Sequence, residues 1–379
     1  MKARTISALF SVIAVIVAGS LVTGCANSHK QFAYVVGQGT NEVFTFQSQR
    51  NGALVPLGAP NFPAGSAPAA MAVHTSGLFL YVVNFAGSNV TLLDINKGNG
   101  QLSVPVNSSV VQTVNPINIF NTGANPIAVV MSPTAPFLFV ANQAAGTITS
   151  FTVDPTSGSL SLIGPATPVV QAPAPIVNPQ SMAISPKGDL LYVANPLQGT
   201  IAVLTIDAKG VLGYAPGSPL SLGPSVTPNS IVAESSGRFV YVANPAGNAV
   251  LGFSVQGNGA LTPISGSPFP AGALTSAVAV DPQGALLYAA NTGSNNVSAF
   301  AIDASTGALG SLSGSPFATG GVGPSSLIVD ANTTVVYVTD QVTHDIAALA
   351  ILSGGSLAPV TGSPFPLAAG GTSIALALE

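Results

Sequence analysis

Leu190-Leu191-Tyr192-Val193-Ala194-Asn195 is the stretch that decides the fold. It is apolar up to its final Asn, rich in aromatic and branched residues, and too short for a stable helix, so it reads as a buried strand. The same pattern returns as FAYVVG at 32–37, FLYVVN at 79–84, FLFVAN at 137–142, FVYVAN at 239–244, LLYAAN at 286–291 and VVYVTD at 335–340. The shared aromatic position is Tyr34, Tyr81, Phe139, Tyr192, Tyr241, Tyr288 and Tyr337, giving intervals of 47, 58, 53, 49, 47 and 49 residues. A repeat of about 40–50 residues built from short strands is the signature of propeller blades.

Around each core the flanking sequence supplies three more strands, labelled a to d from the inside outward with the quoted core as b. Strand a is a continuous apolar run such as Thr275 to Val280, as expected for a strand buried on both faces. Strand c alternates, as in Asn296 to Ile302, and leads into an Asp and a Gly-bearing turn at Asp154–Gly158, Asp207–Gly210 and Asp303–Gly307. Strand d starts near Leu160, Leu212, Leu261, Leu309 and Leu357, and Gly-Ser-Pro follows at Gly217, Gly266, Gly314 and Gly362. The repeat begins directly at a strand b near Phe32 and ends at 372–379 on a segment that matches strand a. The C-terminus therefore completes the first blade and closes the ring. The expectation is an all-β, seven-bladed β-propeller of four antiparallel strands per blade, forming a single domain over 32–379.

Composition agrees. Charged residues make up 5% of the chain and apolar residues 47%, which excludes disorder, and 41 Gly with 31 Pro supply dense turns. Eight scattered basic residues and a net charge of -4 give no basic patch, so nucleic acid is excluded as a partner.

Residues 1–24 read as a lipoprotein signal peptide: Lys2 and Arg4, an apolar stretch from Ile6 to Ala18, then Leu21-Val22-Thr23-Gly24-Cys25, which resembles a lipobox. Cys25 is the only Cys, so it is the expected lipidation site, with residues 25–31 as a short tether and no intrachain disulfide. Ile6 to Gly24 is also long enough to be a spanning anchor. Either reading exports the domain; the first ties it to membrane lipid in a bacterial cell envelope, and Ala26 suits the outer membrane.

The quoted cores, Tyr192 to Asn195 and Tyr241 to Asn244 above all, resemble those of YVTN-repeat and lactonase-like seven-bladed propellers, whose best-characterised enzymes are 6-phosphogluconolactonases. The resemblance covers about 31–379. It implies a functional face at the b-to-c and d-to-a loops, with ionisable residues near the channel mouth. Few stand there. His344, Asp345 and Asp340, with Glu42 of the neighbouring blade, form the one acid–base cluster, and His344 beside carboxylates is the candidate general base. The competing reading makes Asp340 a replacement of the repeat Asn and leaves His344 on a solvated loop.

No cofactor or metal is expected, since no His or Cys pair has ligand spacing. Two long uncharged connections, Asn107–Asn125 and Gly164–Gln180, offer an apolar surface or simply cover the rim. With so few ionisable residues, the sequence alone favours a non-catalytic, monomeric binding or scaffold propeller for a protein or carbohydrate ligand. The alternative is an extracytoplasmic lactonase for a sugar lactone, not a phosphorylated one, because nothing clusters Arg or Lys for a phosphate.

Overall fold

The structure is a computed structural model that describes residues 31–58, 61–105, 118–169, 178–223, 225–332, 334–367 and 376–378. Cys25, the signal segment and part of each long connection lie outside these residues.

Seven antiparallel sheets form the blades of a ring. The fourth is typical: Ser181–Ile184, Leu190–Asn195, Thr200–Ile206 and Leu212–Tyr214 pair in that order. Strand b is the most buried because both blade faces are covered; Tyr34, Tyr81, Tyr192, Tyr241, Tyr288 and Tyr337 are fully enclosed. Strand d needs only its first residue inside, and Leu160, Leu212 and Leu261 meet that need.

Ring closure follows the expected route. Leu376–Leu378 pairs antiparallel with the first core strand, Gln31–Gly37, through Ala33 with Leu378 and Val35 with Leu376. Joining the two ends removes an exposed strand edge.

Each blade also has a short fifth strand that the sequence reading assigned only as a Gly-Ser-Pro segment. Leu220–Ser221, Phe269–Pro270, Phe317–Ala318 and Phe365–Pro366 fold back beside strand d and pair with the start of strand c. The Ser holds this reversal in place. Ser218, Ser267, Ser315 and Ser363 accept through Oγ from the strand-c amides of Val203, Gly252, Ala299 and Ala348 at 2.8–3.0 Å. Each of these Ser residues precedes a cis Pro.

Neighbouring blades are stitched by the repeat Tyr. Tyr81 donates its hydroxyl proton to Gly158 O at 2.8 Å, Tyr241 to Gly307 O at 2.8 Å and Tyr288 to Gly355 O at 3.0 Å, always to the c–d turn of the next blade. Those glycines have positive φ, between 69° and 86°, which tips the carbonyl toward the incoming hydroxyl. Asp154, Asp207 and Asp303 cap the same turns through backbone amides, as expected. In blade 2 the cap is Asn96, which accepts the Gly98 amide, while Asp94 lies inside strand Asn89–Ile95.

Candidate functional site

The face of the b–c hairpins is built on a repeated amide clamp. Asn84, last in strand Phe79–Asn84, donates through Nδ2 to Asn89 Oδ1 at 2.7 Å and Thr91 Oγ1 at 2.8 Å, while its Oδ1 accepts from the Gly65 amide at 2.9 Å. Asn291 repeats this with Asn296, Ser298 and the Gly272 amide. The side chain thus ties the hairpin to the incoming d–a loop. In the sequence these Asn residues show only as the last position of each core, which does not reveal the clamp. A signal was present: Gly65, Gly123, Gly272 and Gly321 each stand 19 residues before Asn84, Asn142, Asn291 and Asp340. In all four a Cβ would overlap the clamp side chain.

Blade 7 puts carboxyls in both clamp positions. Asp340 ends strand Val335–Asp340, Asp345 begins strand Asp345–Ile351, and the two face each other in register. Asp340 is fully buried and Asp345 is 8% exposed. Ala347 stands where Thr91 and Ser298 supply a hydroxyl, so Asp340 keeps only the Thr319 hydroxyl, donated to Oδ1 at 3.1 Å. Asp340 Oδ2 and Asp345 Oδ1 have no hydrogen-bond partner among the described residues. Burial first, then the charge of Asp345, pushes the Asp340 carboxyl up to about 8, with Thr319 pulling the other way. The raised value favours a proton shared by the Asp340–Asp345 pair, which stands in for the missing Asn Nδ2 hydrogen.

His344 lies between the two, immediately before Asp345, at φ 54°, the left-handed corner occupied by Asn41, Ser88, Asn248 and Asn295 in other blades. Asn248 and Asn295 use that corner to accept the Leu274 and Gly323 amides of the following loop, at 2.8 and 2.9 Å. His344 is half-buried rather than solvated, and its Nδ1 is enclosed without a partner among the described residues. Glu42 opens strand c of blade 1, the position Asp345 holds in blade 7, and its Oε2 accepts from Asn61 Nδ2 of its own blade at 3.1 Å. Three of the four expected residues therefore sit together on one hairpin.

Charge divides sharply between the two ends of the ring. All five described cations, Arg50, Lys97, Lys187, Lys209 and Arg238, lie on a–b or c–d turns, at the end opposite His344. The hairpin face offers carboxyls, amides and hydroxyls and, among the described residues, no Lys or Arg. No group of three His, Cys, Asp or Glu side chains is placed to hold a metal among the described residues.

The central channel holds a cavity of about 270 Å³ at the cationic end. Ile184, Ile231, Val278, Leu327 and Ile328, from the inner strands of four blades, form its apolar wall, with Pro282 at its rim. The sequence reading placed the functional mouth at the other end.

The seven-bladed β-propeller lactonase family model matches residues 26–218 and 179–322. The chain belongs to this family. A comparison with curated proteins gives no match. Among solved structures, a candidate 6-phosphogluconolactonase from Bacteroides fragilis is 19% identical, covering 94% of this chain and 100% of its own, with a TM-score of 0.75. The periplasmic gluconolactonase of Pseudomonas aeruginosa is also 19% identical, over 91% of this chain and 99% of its own, at a TM-score of 0.73. A second candidate 6-phosphogluconolactonase, from Bacteroides uniformis, is 17% identical, over 92% of this chain and 100% of its own, with a TM-score of 0.73. At these identities the solved structures establish the likeness of fold.

Proposed function

We propose that this lactonase-family propeller hydrolyses an unphosphorylated lactone, using the blade-7 hairpin face. The observation that carries the reading is the separation of charge. A family scaffold that presents His344 beside a protonated carboxyl, on a face without cations among its described residues, suits a neutral ester and not a phosphate. Family membership favours this over the non-catalytic scaffold that composition alone suggested.

In the proposed step His344 takes a proton from water as the water oxygen attacks the lactone carbonyl. The tetrahedral intermediate collapses by breaking the ring C–O bond, the ring oxygen leaves as an alcohol after taking a proton, and a hydroxy acid results. Asp340 and Asp345 hold the hairpin that carries His344 and are positioning residues.

Cys25 remains the proposed lipid attachment point, supported by the sequence that precedes it. Five residues separate it from Gln31, a reach of roughly 18 Å when extended. Gln31 opens a strand b, which starts at the cationic end of the ring, so the tether leaves the hairpin face pointing away from lipid.

The reading is tested by following acid release from glucono-δ-lactone at constant pH, with the spontaneous rate subtracted. Turnover that falls at least about a hundredfold in His344→Asn is expected for loss of a general base. No turnover above the spontaneous rate overturns the proposal.

A further inference from the structure

The channel cavity lies at the opposite end from the hairpin face and has no part in the proposed reaction. We propose that it binds one aliphatic chain bearing a carboxylate, the chain in the channel and the carboxylate at Arg238.

Three observations support this. First, the wall is apolar and reachable: Val232, Ala233, Ala279 and Val280 line the space and are only half-buried. Burying a hydrocarbon guest against this wall removes apolar surface from water on both sides, which favours an aliphatic chain there. Second, the cavity runs into a polar cleft between blades 5 and 6. Ser235 lines both spaces, and Ser236, Arg238, Gln283 and Gly284 line the cleft. Such a junction suits a molecule with an apolar body and a polar end.

Third, the cleft holds a guanidinium, Arg238, alongside the Glu234 carboxylate. Arg238 donates to Ala304 O at 2.5 Å and to Ser236 Oγ at 3.2 Å, and neither acceptor is a carboxylate. Its guanidinium also lies 5.2 Å from the centre of the Phe239 ring. Two acids line these spaces, Glu234 the cleft and Asp281 the cavity, and each is held by local hydrogen-bond donors. Glu234 accepts from the Ser236 amide at 2.7 Å and from both Ser235 and Ser236 hydroxyls, and Asp281 accepts the Ala285 and Leu286 amides at 2.7 and 2.6 Å. Both hydrogen-bond acceptors of Arg238 are neutral, and a carboxylate that displaced them would match the guanidinium fork.

The probes are decanoate, decanol and butyrate, titrated calorimetrically into the full mature chain. Decanoate is expected to bind one to one, decanol at least tenfold more weakly, and butyrate not measurably. Ala279→Phe fills the channel and should abolish decanoate binding while the thermal midpoint is retained; Ala233→Phe serves the same purpose if the first variant does not fold. Arg238→Met should lower decanoate affinity to that of decanol. Absence of decanoate binding, or binding indifferent to the filling variants, overturns the cavity assignment. Equal affinities for decanoate and decanol in the unmodified protein overturn the role of Arg238. Lactone turnover is read in parallel, so failure here is distinct from failure at the hairpin face.

Discussion

The Tyr337 hydroxyl of the seventh blade donates to the Gly52 carbonyl of the first at 3.0 Å, so the last interface of the ring is made by the same bond that Tyr34, Tyr81, Tyr241 and Tyr288 make at theirs. Ser48 Oγ lies 2.7 Å from the same hydroxyl, and burial pushes the phenol up to about 12. The seam where the two chain ends meet is thus bonded like an interior joint. Two joints lack the bond. Phe139 has no hydroxyl, and Tyr192 OH is buried without a partner among the described residues.

This contrast gives a paired prediction. Tyr241→Phe loses a buried hydrogen bond and leaves Gly307 O unsatisfied, at a cost of about 1 kcal/mol, whereas Tyr192→Phe removes an unpaired polar atom and should be neutral or stabilising. Urea denaturation midpoints of the two variants should move apart, and equal losses would contradict the stitching account.

Asp340 predicts a pH dependence of stability. Its folded value of about 8 lies above the ordinary 3.8, so the native state binds the extra proton between those limits. The stability it contributes is full below about 3.8 and is lost as pH rises through 8. Asp340→Asn restores the clamp of the other blades without titrating. Its gain over the parent should be small at pH 5 and reach about 1–3 kcal/mol at pH 9. Thermal midpoints measured at both pH values check this, and a pH-independent difference would refute it.

Gly321 packs directly over the two carboxyls, and a Cβ there would overlap Asp340 Oδ2 and Asp345 Oδ1. Gly321→Ala should therefore cost about 1–3 kcal/mol by overpacking. Gly310→Ala, where nothing lies within 4 Å of the added Cβ, is the control and should change little. Matched denaturation curves distinguish the two.

At His344 the backbone and the imidazole make separable demands. Asn tolerates the left-handed corner that Ala does not, so His344→Asn should keep its thermal midpoint while His344→Ala loses about 1 kcal/mol. Both should lose lactone turnover if the imidazole is the base. Full activity in His344→Asn would assign the position to turn geometry alone.

The fold was legible because strand b is both the most buried element and the most repetitive: Tyr192 to Asn195 and its relatives cannot vary much when two neighbouring blades enclose them. The chain ends were legible for a related reason, since a strand b without a strand a and a strand a without a strand b have one economical solution. The fifth strand was not, because two residues carry no periodicity, and its trace in the sequence was the Ser before each Pro.

At the site, Asp340 was visible as a departure from the repeat Asn, but its opposition to Asp345 appears only once the hairpin is in register. The hydrogen bond from Asn61 to Glu42 was hidden for a similar reason, because the sequence does not show which loop of its own blade a strand-c residue meets. The channel cavity left no sequence mark, because Ile231, Val278 and Leu327 read as core wherever they point.

The charge separation between the two ends of the ring supports a neutral substrate, and this is tested most directly by the ratio of kcat/KM for glucono-δ-lactone to that for its 6-phosphorylated form. The account predicts measurable turnover of the unphosphorylated lactone and a ratio above about ten, since no Lys or Arg among the described residues of the hairpin face can meet the phosphate. A ratio below one, or turnover of the phosphorylated lactone alone, would contradict it.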